Sequence, residues 1–557
     1  MSPNLAFVTY ETPFAPSGGI AAVMSRLPRY VAAASGLDTF VITPFHHRIP
    51  KTSSIKKDMT AIGKVIVPFD DIQVGVNVLL YDSSGRWCFL EAEDDELFSG
   101  VRHPYDVSAK GADLSNYLLD DALFFGCAVA KTLPLLDPQN GWILMLQDWE
   151  AATTALALAA ESKKKFRSFL TIHNSYDSGV SDSDLLRFGI DPGLCPGNTI
   201  LDRALLLVEE PVFTVSDQFA RDFTEEVLLA NVLAPHLQKR LANKLLGANN
   251  GIFTDLSVDP NVLARAKRGD FEPFRQWKAA NRAQTLKVLE NFKPSPHKPL
   301  CGDPGNFYHG DVPWFVLAGR DDPRQKGYDV ACRAISDFLS SGGEANFLFF
   351  PIPGDEGLPG LTFLKRLAER FPRNVLVLPF IFQEGYFSAL HGATYGIMPS
   401  YYEPFGMANE FYLKGTVGIG RATGGIIQQI VPLRSASAFS NAVQVRTDRY
   451  FGISARPTGL LYRERDDLHS AASDWITINS ADYDREGKNP DRVEQRSSLA
   501  LFRSMARELR LSIEDGVRIH QQQPDLYYEM LTEGIIYIQN TFSWERTAQI
   551  YLRHIME

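Results

Sequence analysis

Cysteine is scarce in this chain, and what there is forms no pattern. Five cysteines, at 88, 127, 195, 301 and 332, are scattered over 557 residues, with no CxxC pair among them. That spacing argues against a structural zinc module and a disulfide framework, and it suits a reducing compartment. Long apolar runs are missing too: none nears the roughly 20 residues that cross a bilayer. The opening MSPNLAFVTYE has no basic leading segment, and its apolar run stops at Glu11, so no export signal is expected there. Positive charge is in deficit. Lys and Arg number 56 against 66 Asp and Glu, a formal net charge of −10. A nucleic-acid or anionic-membrane surface needs a basic face, so neither partner is expected. His46 and His47 are adjacent, and neighbouring side chains diverge on a strand; with no third ligand nearby, no metal site is expected.

What remains is ordinary globular composition, 45% hydrophobic and 22% charged. The length implies two or three domains. The richest stretch is Tyr395 to Ile426, YGIMPSYYEPFGMANEFYLKGTVGIGRATGGI. Tyr395 to Met398 reads as a short strand ended by Pro399, and Ser400 to Gly406 as a loop. Met407 to Leu413 reads as a helix stopped by Gly415, and Val417 to Ile419 as a buried strand. Thr423-Gly424-Gly425 then turns the chain into another helix. This is one βαβ step of a parallel sheet, whose ligands bind beyond the carboxyl ends of the strands. Glu403 therefore belongs at a crevice, where a carboxylate can hold sugar hydroxyls and the N–H groups of a helix start can hold an anion. The plainer alternative is a loop carboxylate paired with a nearby cation.

The same grammar recurs along the chain. Leu5 to Thr9 is a strand, followed by Gly18-Gly19 and an apolar-periodic helix from Ile20 to Ala34, an arrangement suited to an anion. Gly141 to Gln147 is a strand ending at Asp148-Trp149; Asp148 either caps an Ala151 to Ala160 helix or holds a hydroxyl. Phe166 to Ile172 is a strand that leads directly into His173-Asn174. Pro211 to Phe223 reads as strand then helix, capped by Ser216 or Asp217. Trp314 to Ala318 is a strand followed by Gly319-Arg320 and Gln325-Lys326-Gly327, two cations suited to a diphosphate. Asp321, Asp322 and Arg324 read as surface charges or mutual pairs. Residues 51 to 108 read as an antiparallel excursion with a hairpin at Ser84-Gly85. Asp113 is a plausible cap for a helix reaching Leu133. Asp182 and Asp184 read as helix capping, residues 290 to 312 as a flexible insert, and PGDEG at 353–357 as a segment near a base or ribose.

PSYYEPFGM followed by KGTVGIGRATGGI resembles the donor-site signature of retaining GT-B glycosyltransferases, and most of all the glycogen and starch synthase family. Thr171-Ile172-His173-Asn174, the Asp148-Trp149 pair, Asn249-Asn250-Gly251-Ile252 and Gly319-Arg320 with Gln325-Lys326-Gly327 are similar to further motifs of that family. The resemblance implies an α/β chain of GT-B fold. Two doubly wound Rossmann-like domains, 1–254 and 255–540, would face across a cleft, and a C-terminal helix in 541–557 would cross back to the first. It implies His173, Arg320, Lys326 and Glu403 as catalytic residues. For the donor it implies Gly18, Gly19, Asp148, Asn250, Gly406, Met407, Thr423 and Gly424. No metal or cofactor is implied; the partners are a nucleotide sugar donor and a carbohydrate acceptor, in the cytoplasm. The leaving phosphate itself takes the acceptor's proton. The implied reaction moves glucose from a nucleoside diphosphate glucose to an α-glucan end. Two alternatives stay open: a transferase making a small glycoside or another polysaccharide, and a non-catalytic carbohydrate-binding protein. The chain departs from the family pattern at Pro16, where a lysine stands in the family's Lys-x-Gly-Gly motif. It departs again at Phe411, the place of a second glutamate in the related two-glutamate pattern; Glu410 falls one residue early and receives no role.

Overall fold

The computed structural model describes residues 3–106, 114–161, 165–307, 310–354, 357–465, 471–481 and 491–557. Asp113, Asp355 and Glu356 lie outside them, and with them the cap and part of the PGDEG segment.

The chain divides into two compact units. The first comprises Met1–Glu225, Leu233–Gly251 and Ser543–Glu557; the second comprises Glu226–Val232 and Ile252–Phe542. Each is built on a sheet that is parallel at its centre, as in doubly wound α/β proteins.

In the first unit the strands are β1 (Asn4–Val8), β2 (Thr39–Pro44), β3 (Thr60–Phe69), β4 (Ile72–Asp82), β5 (Arg86–Ala92), β6 (Trp142–Gln147), β7 (Phe166–Ile172), β8 (Val212–Thr214) and β9 (Leu245–Gly247). Their order is β3-β4-β5-β2-β1-β6-β7-β8-β9. From β5 to β9 neighbours run parallel, while β3, β4 and β5 form an antiparallel meander. The turn between β4 and β5 has Ser84 at φ 49° and Gly85 at φ 147°. β1 and β6 are buried at every residue, which is why their sequences are continuous apolar runs. The expected Ile20 to Ala34 helix is two helices, Gly19–Met24 and Leu27–Ser35. Pro28 has no N–H to continue the first ladder, so it sits at the start of a second helix instead. Ser216 is the cap of the helix after β8, its Oγ accepting the Phe219 N–H at 3.1 Å. At Ser181 the expected capping takes the form of a capping box with Asp184.

The second unit's strands are β10 (Trp314–Arg320), β11 (Asn346–Ile352), β12 (Val375–Val377), β13 (Tyr395–Met398), β14 (Val417–Arg421) and β15 (Leu460–Tyr462), all parallel, in the order β12-β11-β10-β13-β14-β15. The insert of residues 290 to 312 is not a loose loop along its described length. Cys301 exchanges two backbone hydrogen bonds of 2.9 Å with Val377, extending the sheet at β12. Phe292 packs on Phe380 and Phe382, and Phe307 on Trp314. A covered edge removes the open row of N–H and C=O groups that would invite mispairing.

Candidate active site

In a doubly wound sheet the crevice opens where successive connections leave in opposite directions. In the second unit that point lies between β10 and β13, because β11 and β12 lie on one side and β14 and β15 on the other. The loops leaving these two strands carry Arg320 to Lys326 and Pro399 to Glu403.

The two loops are stitched together. Tyr401 donates its N–H to the Gln325 carbonyl at 2.7 Å. Gly327, at φ +64°, lies so close to Pro399 that a Cβ there would sit 2.2 Å from the Pro399 carbonyl oxygen. Lys326 Nζ donates to both carboxylate oxygens of Glu403, at 3.0 and 2.8 Å, and Ser400 Oγ donates to Glu403 Oε2 at 2.9 Å. The loop carboxylate does pair with a cation, and that cation is Lys326 of the Gln325-Lys326-Gly327 stretch. An ammonium has three donors, and two of them go to Glu403. Arg320 is the last residue of β10 and is half-buried.

The glycine turn after β14 presses on the Glu403 loop. Gly425 donates its N–H to the Glu403 carbonyl at 3.1 Å, and Gly424 has φ +47°. A Cβ on Gly424 would lie 1.6 Å from that carbonyl oxygen. Gly406, at φ +89°, turns the chain into Met407, which caps the helix Ala408–Leu413. Gln429 ties turn to helix, donating to the Phe405 carbonyl at 2.6 Å and accepting the Asn409 N–H at 2.7 Å. The Thr423 hydroxyl is buried and has no hydrogen-bond partner in the structure. Glu410 is held up at about 7 by burial.

Beneath this site lie charges that did not read as buried. Asp321 is 2% exposed and accepts from Arg492 at 2.6 Å, so it is not a surface charge. Asp322 accepts the Arg324 backbone N–H at 2.9 Å, while the Arg324 guanidinium goes to the carbonyls of Asn479 and Ala481. Arg421 is fully buried, reaching Glu464 and the Tyr401 carbonyl. Burial alone would raise the Glu464 carboxyl, but Arg421 and Arg463 beside it hold it far below the usual range. Nothing local in the sequence marks these pairings.

The first unit's switch point lies between β1 and β6. The loops after these strands hold Glu11, Gly18 and Gly19, and Asp148. The glycine turn already holds a carboxyl group of its own. The Glu11 carboxylate, 2% exposed, accepts the N–H groups of Ser17 at 3.0 Å, Gly18 at 2.5 Å and Ala21 at 3.1 Å, and the Tyr105 hydroxyl at 3.2 Å. Burial raises its pKa against those bonds. The sequence signals Glu11 only as a lone carboxylate between a strand and a diglycine. Gly19 remains exposed, with nothing within 4 Å of where a Cβ would stand.

Asp148 does not cap a helix. The helix Asp148–Ala157 begins on it, with Asp148 at φ +59°. Its carboxylate instead accepts the His173 N–H at 2.5 Å, and the Asn174 N–H as well. Burial pushes Asp148 up to about 7. Asp148 and His173 are thus brought together at the adjacent ends of β6 and β7. Gln147 donates to the Met145 carbonyl at 2.8 Å, which turns its amide oxygen toward His173 Nε2, 2.8 Å away. Burial holds His173 down at about 3, so it is a neutral imidazole with its proton on Nε2 and its acceptor on Nδ1. Asn250 is buried after β9, donating its N–H to the Val215 carbonyl at 3.1 Å. His46 is fully buried with Nε2 on the Tyr10 carbonyl.

A family model for the starch synthase catalytic domain matches residues 4–234. Among curated relatives, the glycogen synthase of Kosmotoga olearia is 25% identical over 438 residues, covering 76% of this chain and 82% of that protein. The glycogen synthase of Yersinia enterocolitica is 25% identical over 441 residues, covering 75% and 83%. Among solved structures, the catalytic domain of starch synthase IV from Arabidopsis thaliana, bound to ADP and acarbose, matches with a TM-score of 0.61 at 18% identity, over 93% of this chain and 100% of that one. The sucrose-phosphate synthase of Thermosynechococcus elongatus matches with a TM-score of 0.51 at 16% identity, over 99% of each. No helix among the described residues is long and apolar enough to cross a membrane. The chain is a glycosyltransferase of GT-B fold that resembles the glycogen and starch synthases.

Proposed function

We propose that this enzyme transfers glucose from a nucleoside diphosphate glucose to the non-reducing end of an α-glucan, with retention at the anomeric carbon and without a metal. The observation that carries the proposal is the Lys326–Glu403 pair at the switch point of the second sheet, with Arg320 at the end of β10. Breaking the anomeric C–O bond places charge on the diphosphate and oxocarbenium character on the sugar. Arg320 and Lys326 meet the first; positive groups at a developing oxyanion stabilise the transition state more than the ground state. Glu403 and the backbone around Gly406, Met407, Thr423 and Gly424 hold the sugar. From the first unit, His173 and Asp148 would hold hydroxyls, and Gly18, Gly19 and Asn250 would bind the donor. The departing phosphate oxygen takes the acceptor's proton, so no side-chain base is needed.

A second reading has its own observation. Pro16 stands exposed where the family lysine would be, and Glu11 occupies the N–H groups of the glycine turn. A turn that already holds a carboxylate offers less to a donor phosphate, which favours a different sugar nucleotide and a small acceptor. One screen separates the two. ADP-, UDP- and GDP-glucose and other sugar nucleotides are incubated with maltooligosaccharides and with small hydroxylated acceptors, and products are read by mass spectrometry and NMR. Extension of maltooligosaccharides with α-linked glucose supports the first reading. Transfer only to small acceptors supports the second, and no transfer from any donor overturns both.

A further inference from the structure

Lys326 is a long side chain on a loop, and so is its partner Glu403. Two flexible groups hold a working geometry only if their backbones are fixed relative to each other. One buried side chain reaches the backbone of the first loop and a side chain of the second. Arg496, 3% exposed, lies on the short helix Arg492–Arg496. Its Nη2 donates to the Pro323 carbonyl at 2.8 Å, in the loop that carries Lys326. Its Nη1 donates to Tyr401 Oη at 3.0 Å, in the loop that carries Glu403, and to Asp329 Oδ2 at 2.8 Å, in the first turn of the helix Tyr328–Ser340. Tyr401 closes the triangle by donating its hydroxyl to the same Asp329 oxygen at 2.8 Å, and the guanidinium lies 5.4 Å from the Tyr401 ring centroid. One turn earlier, Arg492 grips Asp321, just past Arg320, and stacks 4.5 Å from the Phe363 ring centroid.

We infer that Arg496 is a positioning residue for glycosyl transfer, setting the separation of the Arg320–Lys326 loop from the Glu403 loop. The inference rests on Lys326 and Glu403 being the donor site. A planar fork can hold three acceptors from three segments in one fixed arrangement; a lysine ammonium at the same place cannot. The Arg496 guanidinium bonds to Pro323, Tyr401 and Asp329, so its loss acts on the spacing of the two loops.

The test is kinetic. Arg496→Lys keeps the buried charge, and Tyr401→Phe keeps the ring while removing the hydroxyl that joins Arg496 to the Glu403 loop. Each is measured alone and combined with Lys326→Ala, with far-UV circular dichroism and thermal unfolding to establish folding. An ångström-scale misplacement costs up to about 10²-fold in rate. The expected result is a fall in kcat of about 10-fold or more for Arg496→Lys, a smaller fall for Tyr401→Phe, and donor KM changed less than kcat. In the Lys326→Ala background the further loss should largely vanish, because the group being positioned is gone. Wild-type kcat in both folded variants, or losses that simply multiply with Lys326→Ala, overturn the inference while the wild-type enzyme still transfers. Absence of transfer by the wild-type protein overturns the donor-site reading and the inference with it.

Discussion

Lys326 and Arg320 illustrate how much a residue's setting decides its chemistry. Each is one cation among 56, yet both stand at a strand end in the crevice of a parallel sheet. Removing one well-placed donor to a developing oxyanion typically costs about 10²–10³ in kcat. Lys326→Ala and Arg320→Ala should each lose about that much, with smaller changes in KM, and Lys326→Arg should recover little. Steady-state kinetics on folded variants checks this; kcat within about threefold of wild type for both alanine variants would reject the phosphate assignment. Asp148 gives a prediction in pH. Its carboxyl is pushed up by burial to about 7, against about 3.9 when unfolded. Between those values the folded protein holds a proton that the unfolded chain releases. Stability from this group is therefore full at low pH and declines as pH rises toward 7, by up to about 1.4 kcal/mol per pH unit. Burial raises the carboxyls of Glu11 and of Glu150, two residues after Asp148, in the same direction. Chemical denaturation of the first unit at pH 5, 6 and 7 should show a shallower slope in Asp148→Asn than in wild type. Equal slopes would count against a buried, protonatable Asp148.

At the scale of elements, glycines decide how closely loops approach. Gly424 combines φ +47° with a backbone oxygen 1.6 Å from any Cβ. An alanine there meets a left-handed cost of about 1–2 kcal/mol and must also displace the Glu403 carbonyl. Gly424→Ala should lower kcat by more than its loss of stability explains, since the displaced segment carries Glu403. Gly19→Ala is the contrasting variant, because the added methyl meets nothing; its stability should stay within about 0.5 kcal/mol of wild type. Thermal unfolding and kinetics on the pair check both statements, and wild-type kcat in Gly424→Ala would show that the loop can move aside at no cost to transfer. The strand–glycine–helix steps were readable because their signals are local: apolar runs, a glycine and a cap lie within a few residues of one another. The break at Pro28 and the docking of the 290–312 insert on β12 were not. The first turns on where a helix ladder stops, the second on a partner strand some 70 residues away.

At the scale of the whole molecule, the chain's last helix completes the first unit. The helix Trp544–Ile555 is capped by Ser543, and Tyr551 stacks on Phe213 with ring centroids 4.3 Å apart. The Tyr551 and Thr171 hydroxyls are 3.2 Å apart, and Thr547 donates to the Asn249 carbonyl at 2.6 Å. Emptying a buried aromatic site typically costs about 3–5 kcal/mol. Tyr551→Ala should therefore destabilise the first unit by about that amount, seen as a lowered denaturation midpoint. An unchanged midpoint would mean that the helix is an accessory to a unit already complete without it.

The sequence by itself determined the parallel-sheet architecture and the strand ends at which His173, Asp148, Arg320, Lys326 and Glu403 stand, because strand periodicity, glycine turns and helix starts are written in neighbouring residues. Only the tertiary structure decided the pairings. Lys326 meets Glu403 across 77 residues, Arg496 meets Asp329 across 167, and the Glu11 carboxylate is shared with Tyr105 across 94. It also decided that Asp148 accepts the His173 N–H instead of capping its own helix. The physical reason is the same in each case. A buried charge must find a partner or shift its protonation, and which partner is within reach depends on the order in which the strands are laid side by side.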